Sequence, residues 1–148
     1  MKTAILSICF MVMAVTAYGN GNEAFTGTWT TEDAKSKVEI FRCGEKYCGK
    51  IISLKDPLYT DSKEGTPGMP KLDRNNPDQA LKLHPIVGLQ IMDGFTSTGT
   101  DSWGNGTIYD PDNGKSYQCK IKLVNNSRLD VRGFIGFSLL GRTTTWTR

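Results

Sequence analysis

The sequence predicts an all-β protein, a small antiparallel up-and-down β-barrel with one long loop carrying a short helix. Three observations predict it. Aromatic and β-branched residues alternate with polar ones in short runs, the period of a strand with one buried face. Turn residues punctuate the runs at regular spacing and give about eight strands, the signature of a sandwich or barrel. One stretch, Lys55 to Pro85, breaks the rhythm: it holds four prolines before the one that closes it. A loop of that length in a compact domain is functional or disordered.

The elements follow in order. Behind Lys2 lies an uncharged apolar run from Thr3 to Val15. It is shorter than the about 20 residues that span a bilayer. Val15-Thr16-Ala17, or as a second option Ala17-Tyr18-Gly19, places small residues where signal peptidase cuts. Residues 1–19 therefore read as a signal peptide and residues 20–148 as one domain, long enough to bury a core. The mature chain is expected to begin between Tyr18 and Gly21. Cys9 sits too deep in the run to accept a lipid, so the product is expected to be exported and soluble, periplasmic or secreted. No later segment is apolar for long enough to be a transmembrane segment.

Phe25 to Thr31 is the first strand. Val38 to Cys43 and Cys48 to Leu54 form a hairpin around the tip Cys43-Gly44-Glu45-Lys46-Tyr47-Cys48. Cysteines so placed face each other, and export to an oxidising compartment favours a Cys43–Cys48 disulfide. The rival is a metal site built from Cys43, Cys48, Cys119 and the single histidine, His84, but nothing in the spacing pairs Cys119 with His84. Cys119 is then an unpaired thiol, alternating with Tyr117, Ile121 and Leu123 as a small buried apolar residue.

Within the long loop, Asn76-Pro77-Asp78-Gln79-Ala80-Leu81 reads as a cap, a proline at the first helical position and an acidic first turn, so a short helix is expected. Asp73, Asn75 and Asp78 also suggest calcium ligands, but no glycine or terminal glutamate completes an EF-hand loop. Val87 to Phe95 is a strand. Asp101 to Tyr109 is another, with Gly104 and Gly106 marking a bulge or bend. Asp110-Pro111-Asp112-Asn113-Gly114 is a strong turn. Lys115 to Val124, Arg128 to Phe134 and Gly141 to Thr147 complete the set.

Charge is mild, with 18 Lys and Arg against 15 Asp and Glu. The basic residues are scattered, which argues against nucleic-acid binding. No Ser-His-Asp series, glycine-rich phosphate loop or HExxH motif stands out. Asp93 and Asp101 are explained by turn and strand-edge positions, so catalysis is not expected and no cofactor is implied.

A series of short motifs is specific as a set. It runs through Gly27-Thr28-Trp29, Val38-Glu39-Ile40, Cys43-Gly44 with Cys48-Gly49, Asn76-Pro77-Asp78 and Ile108-Tyr109-Asp110-Pro111 with Gly114-Lys115. It ends in Val131-Arg132-Gly133, Gly141-Arg142-Thr143 and Thr145-Trp146-Thr147-Arg148. The series resembles the bacterial exported domain-of-unknown-function family 2147, from about Gly27 to Arg148. His84 departs from the arginine that the family often carries before the proline. Gly27-Thr28-Trp29 is also similar to the G-x-W signature of lipocalins, and the resemblance implies a lipocalin-like barrel. It further implies structural closure of the barrel by a late arginine over the Trp29 indole, next to Gly27: Arg148, on the face of Trp146, is the first choice and Arg142 the second.

The leading functional expectation is a carrier or sensor of a small apolar ligand, with or without an acidic head. Its inward ligand-binding side chains would be Phe95, Trp103, Tyr109, Tyr117 and Phe134, beside Ile121. Arg132, mid-strand between Val131 and Gly133, points either to solvent or inward, where it would suit a carboxylate. The opening would be bordered by the Lys55–Pro85 loop. In the competing picture Trp103, Tyr109 and Phe134 fill the barrel. The second class is an envelope protein-interaction or inhibitor module that reads a protein partner through its loops. Phe134 to Leu140 is uncharged: exposed, it would be a contact surface; buried, as expected, it would be the floor or portal of the barrel.

Overall fold

A computed structural model describes residues 24–148. The expected signal peptide, its expected cleavage point and Cys9 lie outside the described residues. Eight antiparallel strands close into a barrel in simple sequence order, β1 (Gly27–Thr30), β2 (Ser36–Cys43), β3 (Lys46–Leu54), β4 (Gln90–Gly99), β5 (Ser102–Asp110), β6 (Lys115–Asn125), β7 (Arg128–Phe134) and β8 (Arg142–Thr147). Seven seams pair at several residues each, five of them with shifts of register along the way. The eighth, between β1 and β8, rests on the single pair Thr30 and Thr147. No helix among the described residues is long and apolar enough to cross a membrane.

Up-and-down order sends alternate connections to opposite ends. One end carries the tight hairpins Cys43–Lys46, Gly99–Ser102 and Asn125–Arg128. The other carries the longer links: 31–35, 55–89, 111–114 and 135–141. The first end is packed solid. Phe25 stacks on Trp103 with ring centroids 4.0 Å apart and meets Tyr47 edge-on at 5.3 Å. Trp29, Phe95, Met92 and Leu129 are fully buried beside them. The β-branched and aromatic residues that alternate along each strand supply this core because that face must leave water.

Local sequence rules explain the irregularities. The bend expected at Gly104 and Gly106 is a shift of the β5–β6 register between Trp103 and Gly106, with Asn105 at φ 60°. The strand expected over Val87–Phe95 begins later, at Gln90. Gly88 at φ 95° and the bond from Leu89 N to Ile86 O close a turn first. The strand then runs on to Gly99.

The short helix expected at Asn76–Leu81 is not a helix. Asn76 Oδ1 accepts from Asp78 N and Asp78 Oδ1 from Ala80 N, both at 2.9 Å. Leu81 N then bonds Asp78 O and His84 N bonds Leu81 O, the i→i−3 pattern of 3₁₀ turns. A nucleus of one turn is too short to repay its ordering cost, and Pro85 stops growth.

Candidate functional site

Between the long connections the barrel is hollow. A cavity of about 930 Å³ opens at that end. Its wall is mainly apolar: Ile51, Leu54, Ile91, Ile108, Val131 and Trp146 line it, with Ser36 and Thr144 as uncharged polar members. All its charged neighbours stand on strand ends or connections at the mouth: Lys35, Lys55, Lys71 and Arg142 against Glu32, Asp33, Asp56, Asp110 and Asp112. The signs nearly balance, so the mouth exerts no strong preference for either charge. Arg142 is also engaged, since its Nη2 donates to Glu32 Oε2 at 3.1 Å.

Of the expected ligand-binding residues, Tyr109, Tyr117 and Phe134 border the cavity. Phe95 and Trp103 do not. They are fully buried in the solid half, where Trp103 stacks on Phe25. The barrel is thus filled at one end and open at the other, and neither of the two pictures drawn from the sequence describes the whole of it. Arg132 is not in the cavity either. It follows Val131 and precedes Gly133, both of which line the wall, so strand alternation turns it to the outer face. There its guanidinium donates to Ser138 O, Leu139 O and Thr143 Oγ1.

The Lys55–Pro85 loop borders the mouth through Lys55, Asp56 and Lys71. It is fastened down. Asp73 is fully buried, and its carboxylate accepts from Tyr109 Oη and from Asn76 Nδ2, each at 2.7 Å. Asn75 Nδ2 donates to Pro111 O and Asp112 O across the β5–β6 turn. Gly114 of that turn has φ 71°, and a Cβ there would run into the Asn75 carbonyl. Burial first, then the bond to Asp73, hold the Tyr109 phenol above the ordinary tyrosine range. Asp73, Asn75 and Asp78 therefore have separate structural partners. The reading of Asp73 as a candidate calcium ligand missed it as a buried anchor, because only the fold brings it to Tyr109.

At the closed end, the Arg148 guanidinium lies 4.2 Å from the Trp29 ring centroid. It donates to Asn126 O, Thr26 O and Ala24 O. Gly27, at φ 106°, keeps the chain beside it in a conformation that L side chains rarely adopt. Trp146 has two roles, in the core and in the cavity wall. Cys43 and Cys48 form the expected disulfide at the β2–β3 tip. Cys119 is free and buried, and burial pushes its thiol up to about 12. Among the described residues, Cys43, Cys48 and Asp93 bring potential ligand atoms together, but both sulfurs are spent in the disulfide.

Phe134 is buried as expected, but the rest of the uncharged stretch is not. Ile135, Phe137, Leu139 and Leu140 are exposed, Leu139 by 90 %. The stretch borders the mouth through Ile135 and Leu140 and packs into no floor.

A closed eight-stranded barrel, solid at one end and with an apolar cavity at the other, defines a lipocalin-like protein. More particularly, the chain belongs to the family described as "Uncharacterized protein conserved in bacteria (DUF2147)", whose model matches residues 27–148. It is similar in structure to a protein of Helicobacter pylori, HP1028, described as belonging to the lipocalin family. That likeness has a TM-score of 0.69 at 24% identity and covers 83% of this chain and 81% of the other. No curated protein matches the sequence significantly.

Proposed function

We propose that this is an exported small-molecule-binding protein that carries or senses an apolar ligand in the open half of its barrel. The observation that carries the reading is the 930 Å³ cavity with a mainly apolar wall and charge only at its mouth. A site of that size and lining suits a small apolar molecule held by burial. With Arg132 on the outer face and Arg142 paired with Glu32 at the mouth, the described residues offer no free guanidinium to an acidic head, so selection rests on the apolar body. The reading is non-catalytic: Tyr109, the perturbed phenol on the wall, serves as a tether to Asp73.

The test uses N-phenyl-1-naphthylamine, an uncharged apolar dye. Saturable fluorescence enhancement is expected, with quenching of Trp146 on the wall. Gly133→Leu should weaken binding by at least about tenfold, or 1.4 kcal/mol. A Cβ at Gly133 would touch the wall residues Tyr117 and Ile108 at 3.5–3.9 Å, so a longer side chain enters the cavity. Absence of saturable binding to the wild type would overturn the reading.

A second reading is favoured by one observation. Phe137 and Leu139, 78 % and 90 % exposed, stand outside the mouth as a small contact surface for an envelope protein partner. Export itself rests on the leader pattern and on the disulfide. N-terminal sequencing of envelope or secreted material should find a start between Tyr18 and Gly21, and an intact Met1 there would refute it.

A further inference from the structure

Arg132 was expected either to face solvent or to bind a ligand from within. Its geometry gives it another task. Nε donates to Ser138 O at 2.7 Å, Nη2 to Leu139 O at 3.2 Å and Nη1 to Thr143 Oγ1 at 2.9 Å. Ser138 and Leu139 belong to the 135–141 connection, whose Ile135, Leu140 and Gly141 border the cavity mouth. This connection has little else to hold it. Its own backbone bonds are short-range, Leu140 N to Phe137 O and Gly141 N to Ser138 O. Its apolar side chains are exposed and contribute no core packing. Such a segment, poor in buried apolar contacts, belongs to the least stable parts of a fold. Among the described residues, the side-chain hydrogen bonds that reach its backbone come from Arg132.

We propose that Arg132 is the positioning residue of the portal: it clamps the 135–141 connection beside the mouth and thereby sets how fast ligand enters and leaves. The proposal rests on the reading of the cavity as a ligand site. The chemistry suits arginine in particular. A planar guanidinium can serve two successive carbonyls and a cross-strand hydroxyl at once, whereas a lysine ammonium is a flexible point donor.

Two measurements on the full mature chain test it. The first is hydrogen exchange of the 135–141 segment in the wild type, Arg132→Lys, Arg132→Met and Thr143→Val. The methionine variant should exchange there at least about tenfold faster, with the strands of the closed end unchanged. The lysine variant should fall between. Thr143→Val, which leaves both carbonyl bonds in place, should match the wild type. The second is stopped-flow release of N-phenyl-1-naphthylamine. Arg132→Met should speed dissociation about tenfold and association comparably, leaving the equilibrium affinity within about threefold, because a portal changes the path and not the wall. A residue that merely stabilised the barrel would not move both rates together at constant affinity. Unchanged exchange in Arg132→Met overturns the clamp. Faster exchange with unaltered dye kinetics overturns the portal. A wild type that binds no dye removes the cavity reading, and the portal with it, while the exchange data still decide whether Arg132 clamps the segment.

Discussion

At the scale of the residue, burial turns ordinary side chains into anchors. Asp73 is the clearest case: a fully buried carboxylate whose side-chain donors among the described residues are Tyr109 and Asn76. Tyr109→Phe leaves it one donor short and should cost about 1–3 kcal/mol, read by urea unfolding at pH 7. The pH dependence has a definite sign. Because the folded phenol titrates above the ordinary value of about 10, its contribution is fully present below that pH. It is lost as pH rises through the higher, folded value. Wild-type stability should therefore fall on the alkaline side of about pH 10 by a component absent from Tyr109→Phe. Parallel slopes for the two proteins would disprove the tether. Asp73 was legible in the sequence only as one of three candidate calcium ligands, since its partner lies 36 positions away.

At the scale of the element, short-range chemistry was read well and marginal structure was not. The Cys43–Cys48 spacing, with the expected export, pointed to a bridged hairpin, and the bridge joins paired strands at Cα atoms 5.8 Å apart. Replacing both cysteines with serine should lower stability by about 2 kcal/mol on the chain-entropy estimate, with the far-ultraviolet circular dichroism of the barrel retained. A collapse of that spectrum would show that the bridge organises the sheet and does not merely restrict the unfolded chain. The Asn76–Leu81 segment carried the right capping residues for a helix, yet it closes only as successive turns. Capping signals fix where a helix would begin. They do not supply the packing that a one-turn segment needs in order to persist.

At the scale of the whole molecule, the two ends of the barrel differ in how they are filled. Phe25, Trp29, Phe95 and Trp103 close one end, and the other keeps its void. Filling that void with a bound molecule should raise the melting temperature by mass action. With N-phenyl-1-naphthylamine at about 100 times its Kd, the gain is about 2.7 kcal/mol. Calorimetry of the wild type should show the shift, and Gly133→Leu at the same dye concentration should show about half of it or less. A melting temperature indifferent to the dye in both proteins would mean that the cavity does not hold it.

By itself the sequence determined the strand count and order, the hairpin disulfide and the motifs of the family. Each of these follows from neighbours in the chain: a period of two, a turn dipeptide, a cysteine spacing. It also brought Arg148 to Trp29, through the resemblance at the two ends of the chain. Only the tertiary structure decided which aromatic side chains fill the barrel and which line it. It alone decided that Arg132 faces outward and that Ile135, Phe137, Leu139 and Leu140 stay exposed. Alternation says that a side chain points to one face of a strand. It does not say at what height along the barrel that side chain lies, and height here separates a solid core from a cavity. Height is set by the stagger between strands, a property of the closed sheet and not of any one segment.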